Sequence, residues 1–438
     1  MNIVLTTIIL FVVFGVLLFM GVPISVSIIV SSIVTAMSTL SWDQITFITM
    51  QKMNSGIESF SLLAVPLFIL AGNIMNNGGI AKRLVNFAQL FVGKLPGNLA
   101  QANILGNMLF GALSGSSVAA ASAMGGCISP IEKEQEYDPA YSAAANIASA
   151  PTGLLIPPTS AFIVYSTVAG GVSISTLFMA GYVPGILMGL GCMVVAFIYA
   201  KKMGIKATGR DKSISVAKTI WDAIPSLLLI IIVIGGIVSG IFTATEGAGI
   251  AVLYCLILSI IYKSIDFKGF MEILLNSAKT SGIILFLISA SSAMSFVMAY
   301  SGIPAAISSA LLSVSTNKYV IFILMNIILL IIGMFMDITP AILIFTPIFL
   351  PIAQSFGMSD IQFGVMLIFN MCLGNITPPV GSVLFVGCGI GHVSIEEVTP
   401  KLIPYFLVLI VMLLLVTFVP GLSLGVPSLM GLVLGSIC

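Results

Sequence analysis

Charged side chains are scarce in this chain. Of its 438 residues, 7% are Asp, Glu, Lys or Arg, whereas 59% are hydrophobic. A soluble domain is about a quarter charged, so this chain has too few charges to cover a water-exposed surface. A formal net charge of +1 also provides no basic surface, and nucleic acid is therefore not an expected partner. The composition predicts an all-α polytopic membrane protein that lies in a lipid bilayer.

The residues that most enzymes need are also few. His392 is the only histidine and falls in a predicted cytoplasmic connector, away from any membrane serine. No paired intramembrane aspartates and no Gly-rich phosphate loop occur, so neither an intramembrane protease nor an ATPase is expected. The six cysteines are scattered without metal-ligand spacing and are interpreted as small buried hydrophobes. We expect no enzyme activity, no cofactor, and no metal other than Na⁺ as a coupling ion.

Apolar runs of about 20 residues predict membrane spans. The first run lacks a basic n-region, so we interpret it as a membrane helix and not as a cleaved signal. Between the runs, 41–59 is polar, and Lys82, Arg83 and Lys94 belong to a possible amphipathic interfacial helix. The predicted unbroken spans are 3–20, 22–40, 60–77, 182–200, 223–241, 248–261, 281–300 and 403–419.

Two further apolar segments contain double prolines, Pro157-Pro158 and Pro378-Pro379. Adjacent prolines supply no N–H and block the preceding helical turn, so each segment should break into two half-helices. Broken backbone at membrane depth is tolerated only where it lines a cavity or is buried in protein. Matching breaks in the two halves of a chain are typical of secondary transporters.

The segment 98–129 is rich in small residues and has Ser-Gly-Ser-Ser at 114–117. It fits one long span or a re-entrant hairpin with this tetrapeptide at its tip. The hairpin is favoured because Lys94 and Lys133 flank the segment, so the chain returns to the face from which it started. A polar loop is expected at 132–139. In the second half, Asp337-Ile338-Thr339-Pro340 interrupts the apolar stretch 319–351 in the same way.

A constant shift of 221 relates the two halves. It places Gly153 on Gly374, Pro157-Pro158 on Pro378-Pro379, and the Ser-Gly-Ser-Ser tip on Asp337-Ile338. This weak similarity indicates an internal duplication. Each half is expected to have five crossings and one hairpin that does not cross the membrane. An odd number of crossings gives the second half the opposite orientation. With the charged loop 201–218 in the cytoplasm, fourteen of the 16 Lys and Arg lie inside and only Lys52 and Lys318 outside, as the positive-inside rule requires. Both termini are then periplasmic.

In such an inverted repeat the hairpin tips and the broken spans meet near the bilayer midplane. Helix C-terminal ends and freed carbonyls suit Na⁺, whereas helix N-terminal ends suit a carboxylate. Close packing of small residues is the alternative explanation for the tips. The first predicted sodium site comprises Ser114, Gly115, Ser116, Ser117, Thr152 and Gly153; the second comprises Asp337, Thr339, Gly374, Asn375 and Thr377. The predicted substrate-binding residues are Ser116, Pro157, Thr159, Thr339 and Pro378.

Two acids lie deepest in apolar sequence, and both allow alternatives. Asp337 is interpreted as a sodium ligand, a protonatable group or a helix cap. Glu246 follows Thr243 and Thr245 at a helix start, so a cap or an inter-domain contact is favoured over a ligand. Because Arg83 and Arg210 are the only arginines and both fall in predicted cytoplasmic segments, an anionic substrate must be held by helix ends, hydroxyls and the bound cation.

These residues are carried by motifs that resemble one transporter family. They are similar to the large membrane subunit of tripartite ATP-independent periplasmic (TRAP) transporters, in the family's order along nearly the whole chain. The motifs are residues 61–72 (SLLAVPLFILAG), 113–119 (LSGSSVA), 156–159 (IPPT), 242–246 (FTATE), 336–340 (MDITP) and 376–381 (ITPPVG). There are departures from the family pattern at Ala244, where many relatives have proline, and at Ala120, where some have an acid. The second departure puts the number of sodium ions in question.

The resemblance implies a fold of the ion transporter superfamily, in which a mobile transport region moves against a scaffold as an elevator driven by sodium. It implies a bacterial inner-membrane location, a small four-helix membrane subunit and a periplasmic substrate-binding protein as partners, and organic acids such as C4-dicarboxylates, sialic acid or other sugar acids as substrates. The expected division is 1–93 (scaffold, first repeat), 94–200 (transport, first repeat), 201–218 (cytoplasmic linker), 219–316 (scaffold, second repeat), 317–425 (transport, second repeat) and 426–438 (tail).

The resulting functional prediction is the large subunit of a sodium-coupled importer of an organic acid that depends on a binding protein. A stand-alone sodium/dicarboxylate symporter of the same superfamily would instead work without a soluble partner. An anion channel would conduct without saturation and without sodium dependence.

Overall fold

The structure, a computed structural model, describes residues 3–77, 80–205, 215–378 and 380–432, without the side chains of Ala81 and Leu113. Pro379 of the second double proline, residues 206–214 of the predicted linker (Arg210 among them), and residues 433–438 of the tail lie outside this description. Every regular element in the described residues is helical. The α-helices are α1 (Ile3–Phe19), α2 (Ile24–Ala36), α3 (Trp42–Ser55), α4 (Ala64–Asn77), α5 (Ile80–Val92), α6 (Asn98–Ser114), α7 (Ser117–Glu134), α8 (Pro139–Ser149), α9 (Thr152–Leu155), α10 (Ser160–Val168), α11 (Ile174–Lys202), α12 (Val216–Val238), α13 (Ala244–Tyr262), α14 (Phe267–Tyr300), α15 (Ile303–Val314), α16 (Lys318–Phe335), α17 (Ile338–Ser355), α18 (Asp360–Gly374), α19 (Ser382–Gly391), α20 (Ile395–Phe418) and α21 (Pro420–Leu429).

Eight helices are long and apolar enough to cross a membrane, or nine if the bent pair α8–α10 is one span, counting the described residues only. The eight include a 3₁₀ turn (Phe60–Leu63) that continues into α4, as well as α16 and α17. The membrane-protein class predicted from composition is confirmed.

Local sequence explains several helix boundaries. Thr243 and Glu246 form a capping box at the start of α13: Thr243 N donates to Glu246 Oε2 at 2.8 Å, and Glu246 N donates to Thr243 Oγ1 at 3.2 Å. This confirms the interpretation of Glu246 as a cap. The polar stretch after α2 was not predicted to be helical, but it forms α3, whose start Ser41 and Gln44 cap in the same way.

The two predicted re-entrant hairpins are present. Hairpin 1 consists of α6 and α7 and turns at Gly115-Ser116, and hairpin 2 consists of α16 and α17 and turns at Met336-Asp337. The second arm of hairpin 1 extends to Glu134, so the predicted polar loop at 132–139 was wrong at its start. The helix continues because its last turn buries Glu132 inside the protein, and the connection to α8 shortens to four residues.

Both broken spans are present as well. The first bends by 49° between α8–α9 and α10, and at the second α18 ends at Gly374 and α19 begins at Ser382. Pro157 and Pro158 lie in the first break and Pro378 in the second. In each case the chain resumes a helix after the proline segment, as the double-proline argument predicts.

The helix bounds reproduce the shift of 221. Adding 221 to the bounds of α6 and α7 gives 319–335 and 338–355, and α16 and α17 occupy Lys318–Phe335 and Ile338–Ser355. α11 begins at Ile174 and its counterpart α20 begins at Ile395, which is the same shift. The internal duplication therefore extends to the start and end of individual helices.

Helices of the first repeat pack against helices of the second repeat, and the contacts come in equivalent pairs. α7 contacts α19, and the counterpart of α7, α17, contacts α10, the counterpart of α19. In the same manner α4 packs on α13, and α14 packs on α2. Paired contacts of this kind are what a two-fold axis between two copies produces. The five crossings expected in each half give the two copies opposite orientations, and the fold is an inverted repeat.

Candidate functional site

Both hairpin tips line one cavity of about 420 Å³. The tip of hairpin 1 provides Ser114, Gly115, Ser116 and Ser117, and the tip of hairpin 2 provides Asp337, Ile338 and Thr339. Leu154 and Ser160 flank the first break, and further wall residues come from α4 and α14. One site thus collects residues from both repeats, as the inverted-repeat argument predicts.

The tip of hairpin 1 is a tight turn held against the first break. Gly115 has φ +61°, a left-handed conformation that costs a glycine little, and it ends α6. Ser116 then caps α7, because its Oγ accepts a hydrogen bond from Ala119 N at 3.3 Å. A Cβ built on Gly115 would lie 3.5 Å from the carbonyl oxygen of Pro158, so the turn rests directly on the break.

In each repeat, the first arm of the hairpin packs closely against a broken span at a pair of glycines. A Cβ on Gly111 of α6 would lie 2.4 Å from Gly153 Cα, and a Cβ on Gly374 of α18 would lie 2.4 Å from the carbonyl carbon of Gly333 on α16. Only glycine permits such close backbone approach. Gly153 and Gly374 are related by the shift of 221, so the same contact occurs in both repeats.

Buried amides connect the same pairs of elements. Asn107 Nδ2 of α6 donates to Asn146 Oδ1 at 3.0 Å and to Ser149 Oγ at 2.9 Å on α8. In the second repeat Asn370 Nδ2 of α18 donates to Asn326 Oδ1 of α16. These hydrogen bonds fix the position of each first hairpin arm, and therefore of its tip.

The tip of hairpin 2 carries Asp337, the one acid in the described wall of the cavity. Asp337 occupies the N-cap position of α17, yet its side chain makes no capping hydrogen bond and is exposed to the cavity. Behind it, the second break is connected to the first arm by Gly381 N, which donates to Met334 O at 3.4 Å. Its place in the cavity wall keeps Asp337 available to a cation.

Three helix N-termini reach this cavity. The first residues of α7, α10 and α17 are Ser117, Ser160 and Ile338, and all three line the wall. Unpaired N–H groups and the helix dipole make such ends attractive to anions. The C-terminal end of α6 at Ser114-Gly115 contributes carbonyl groups and partial negative charge to the same space. The cavity therefore offers features that suit an anion and features that suit a cation.

Several predicted site residues lie behind the tips and not in the described wall of the cavity. Their hydroxyls are used internally: Thr152 Oγ1 donates to Ser149 O at 2.7 Å, Thr159 Oγ1 accepts from Ala161 N, and Thr377 Oγ1 donates to Leu373 O at 2.6 Å. Asn375 Nδ2 is buried without a hydrogen-bond partner in the described part of the chain. The residues placed in this outer layer are Thr152, Gly153, Pro157, Thr159, Gly374, Asn375, Thr377 and Pro378.

One wall of the cavity was not predicted from the sequence. Asn73 and Asn76 of α4 and Thr280 of α14 line the cavity from that side. Asn73 Nδ2 also donates to Ser277 Oγ of α14 at 2.8 Å, which joins the two helices. The sequence contains a pattern that indicates this wall, because Asn73 and Asn76 are three residues apart in an apolar span and therefore lie on one helix face.

Among the residues that the structure describes, no three His, Cys, Asp or Glu side chains form a group that could hold a metal ion. Arg83 stacks on Tyr262 at 3.4 Å from the ring centroid and is not a wall residue. An anion in the cavity would thus face helix ends, hydroxyls and amides.

The inverted repeat, the paired re-entrant hairpins and the polar cavity between them define a multi-pass membrane transporter. It is a transport protein and not an enzyme. The sequence profile of the tripartite ATP-independent periplasmic transporter DctM component matches residues 11–422. The chain belongs to this family, which confirms the resemblance carried by the motifs, and it is a multi-pass membrane protein of the bacterial TRAP type.

Individual relatives agree over almost the full length. The chain is 50% identical over 422 residues to the uncharacterized protein YgiK of Salmonella typhimurium, covering 96% of this chain and 97% of that protein. It is 35% identical over 442 residues to the C4-dicarboxylate TRAP transporter large permease protein DctM of Rhodobacter capsulatus, covering 96% and 99%.

A solved structure shares the fold. The YdaH transporter of Alcanivorax borkumensis superposes with a TM-score of 0.64 over 88% of this chain and 91% of that chain, at 14% sequence identity. At this identity the likeness concerns the fold alone.

Proposed function

We propose that this chain is the large membrane subunit of a sodium-coupled TRAP importer of an organic acid such as a C4-dicarboxylate, sialic acid or a related sugar acid. One observation carries the proposal: both hairpin tips, three helix N-termini and Asp337 face a single cavity of about 420 Å³. A carboxylate and a cation can occupy such a space together, each compensating the charge of the other.

The tips and their outer layer provide two sodium sites in this proposal. The first uses the end of α6, Ser114–Ser117, with Thr152 and Gly153 behind it. The second uses Asp337 and Thr339 with the backbone of the second break at Gly374, Asn375 and Thr377. Sodium prefers oxygen ligands, and hydroxyls, carbonyls and one carboxylate supply them here. Asp337 acts as a sodium ligand because its carboxylate faces the cavity without a capping bond.

The substrate carboxylate lies between the tips. Ser116 and Thr339 provide hydroxyls in the wall, and Pro157, Thr159 and Pro378 shape the breaks that orient the neighbouring helix ends. Binding depends on sodium for an electrostatic reason: no arginine lines the described wall, so the cation supplies the charge that an arginine fork would otherwise provide. The DctM permease of Rhodobacter capsulatus, named for C4-dicarboxylates, supports this substrate class.

Movement follows the expected division of the chain. The scaffold comprises 1–93 and 219–316, and the transport region comprises 94–200 and 317–425. The cavity lies between the tips, which belong to the transport region, and Asn73, Asn76 and Thr280, which belong to the scaffold. Sliding of one region past the other carries the loaded site across the membrane. A small four-helix subunit and a periplasmic binding protein complete the system.

Uptake into proteoliposomes tests this proposal. The complete complex is reconstituted, the co-encoded binding protein is added with a radiolabelled C4-dicarboxylate or sialic acid, and external Na⁺ is replaced by K⁺. Uptake is expected to saturate, to need the binding protein and to stop in K⁺. Uptake that continues in K⁺ would refute sodium coupling, and uptake without the soluble protein would indicate a stand-alone symporter.

A further inference from the structure

A second cavity of about 330 Å³ lies at the other end of hairpin 1 from the tip. It is enclosed by the last turns of α7, the start of α8 and the turn between α19 and α20. Its wall includes Ser129, Glu132, Ser142 and Asn146, with Lys133 and His392 among its exposed members. None of these residues contributes to the cavity between the tips.

Glu132 is the buried acid of this wall. Its relative exposure is 3%, and it is the only Asp or Glu in the described residues that is buried. Its Oε1 atom has no hydrogen-bond partner in the described part of the chain, and neither has the Oγ atom of Ser142 beside it. Two unpaired oxygens at one wall are costly unless a proton or another donor lies between them.

The charged and titratable groups around Glu132 do not neutralise it. Lys133 and His392 are exposed, and Glu397 is already engaged with Ser394 N at 2.9 Å. Lys401 is paired with Asp138 at 3.1 Å, the one ion pair between side chains of the described residues. The phenols that face Glu132 from the neighbouring elements are Tyr137, Tyr141 and Tyr405.

Burial raises the pKa of Glu132 from 4.5 to about 7, and the nearby Ser142 hydroxyl, which forms no well-aligned hydrogen bond with it, offsets part of this shift. Glu132 lies in the last turn of α7 next to the polar segment 135–138, outside the apolar spans. Tyr137 in that segment has its pKa raised by burial to about 12, so it stays neutral. A buried carboxyl with this pKa exchanges its proton near neutral pH.

We propose that Glu132 is a proton-binding site, reached through this second cavity, and that the bound proton holds the second arm of hairpin 1 against α8 and α19. The geometry points to a proton because the buried Oε1 atom has no hydrogen-bond partner among the described residues, and a proton turns the carboxyl into a donor to the Ser142 hydroxyl beside it. Loss of the proton leaves a charge that must be hydrated, which opens the contact between α7 and its neighbours. Since α7 begins at Ser117 in the tip, the state of Glu132 biases the position of the tip.

The sign of the effect on stability follows from the raised pKa. The native state holds the proton more tightly than the unfolded chain, so the stabilisation is complete below the ordinary pKa of 4.5 and is lost as pH rises through about 7. The proton site does not depend on the sodium coupling proposed above, and failure of either proposal leaves the other standing.

Thermal unfolding of the purified full chain in nanodiscs across this pH window tests the site, with infrared difference spectra to detect the protonated carboxyl. In the wild type the melting temperature should fall from about pH 4.5 to about pH 7 and level off above this range, and the carboxyl band should disappear with a midpoint near pH 7. Glu132→Gln should abolish both changes. Glu134→Gln is the matched control, because Glu134 is exposed in the same turn, and it should titrate as the wild type does.

Ser142→Ala provides a second variant if Glu132→Gln does not fold. Removal of the hydroxyl that favours the charged form should move the midpoint to higher pH. Hydrogen exchange of residues 117–134, corrected for its intrinsic pH dependence, should show α7 losing protection above the midpoint in the wild type but not in Glu132→Gln. A wild type without titration, or a Glu132→Gln variant that titrates like the wild type, overturns the proposal, as does an unchanged midpoint in Ser142→Ala.

Discussion

Substitution of Gly153 by alanine should separate hairpin 1 from the first broken span. The new Cβ would lie 2.2 Å from Gly111 Cα, 2.6 Å from its carbonyl carbon and 2.9 Å from its carbonyl oxygen, whereas ordinary contact begins at 3.4 Å. All three are backbone atoms, so no side chain can rotate away and α6 itself must move. Overpacking of this kind costs about 1–3 kcal/mol.

The displacement has a functional consequence as well, because α6 ends at the tip. When α6 moves away from α9, Gly115 at its end moves away from the backbone of Pro158 and Thr159, which a Cβ built on Gly115 would approach to 3.5 and 3.6 Å. We expect Gly153→Ala to unfold at a lower temperature in detergent and to need more Na⁺ for half-maximal uptake. Gly374→Ala should behave similarly, since its Cβ would meet the carbonyl carbon of Gly333 at 2.4 Å.

Gly126→Ala is the matched control for both variants. Gly126 lies within α7 with nothing within 4 Å of the added Cβ, so alanine should be neutral or stabilise the helix by up to about 1 kcal/mol. If Gly153→Ala unfolds at the wild-type temperature, or no lower than Gly126→Ala, the close approach of α6 and α9 does not exist.

Three further outcomes are expected. Asp337→Ala and Thr377→Ala should each raise the Na⁺ requirement of uptake at unchanged expression, and an unaltered requirement in both would remove them from the sodium sites. Thr243→Ala should lower the free energy of unfolding by about 1 kcal/mol through loss of the α13 cap, measured by thermal or denaturant unfolding; equal stability would contradict the role of the cap. Asn76→Ala should raise the substrate concentration for half-maximal uptake without changing the Na⁺ requirement, and the reverse pattern would exclude a scaffold contact with the substrate.

The architecture was predictable where backbone chemistry decides it. Proline pairs break helices in any context, so both broken spans followed from the sequence, and the shift of 221 between them located the second hairpin tip. The turn at Gly115 is likewise a local property, because a left-handed residue after an apolar helix ends that helix.

Features that depend on tertiary packing were not predictable in the same way. The helix α3 was missed because its residues are polar and its formation depends on packing against α14, through contacts such as Ser289 Oγ to Met53 O at 2.8 Å. Glu132 was assigned to a loop because an acid was expected to be exposed, whereas neighbouring helices bury it. The contribution of Asn73 and Asn76 to the cavity depends on which helix face meets the tips, and the pattern of one span does not specify its partner.

The central claim is that the two hairpin tips face each other across one site. Cysteine pairs test it most directly: Ser116→Cys and Thr339→Cys are combined in a background without native cysteines and treated with a short bifunctional thiol reagent. We predict that the pair forms a cross-link that stops uptake, and that this cross-link forms more slowly when Na⁺ and substrate are present. Each single cysteine variant should react with the reagent but form no cross-link. Efficient labelling of both single variants with no cross-link in the pair would contradict the shared site.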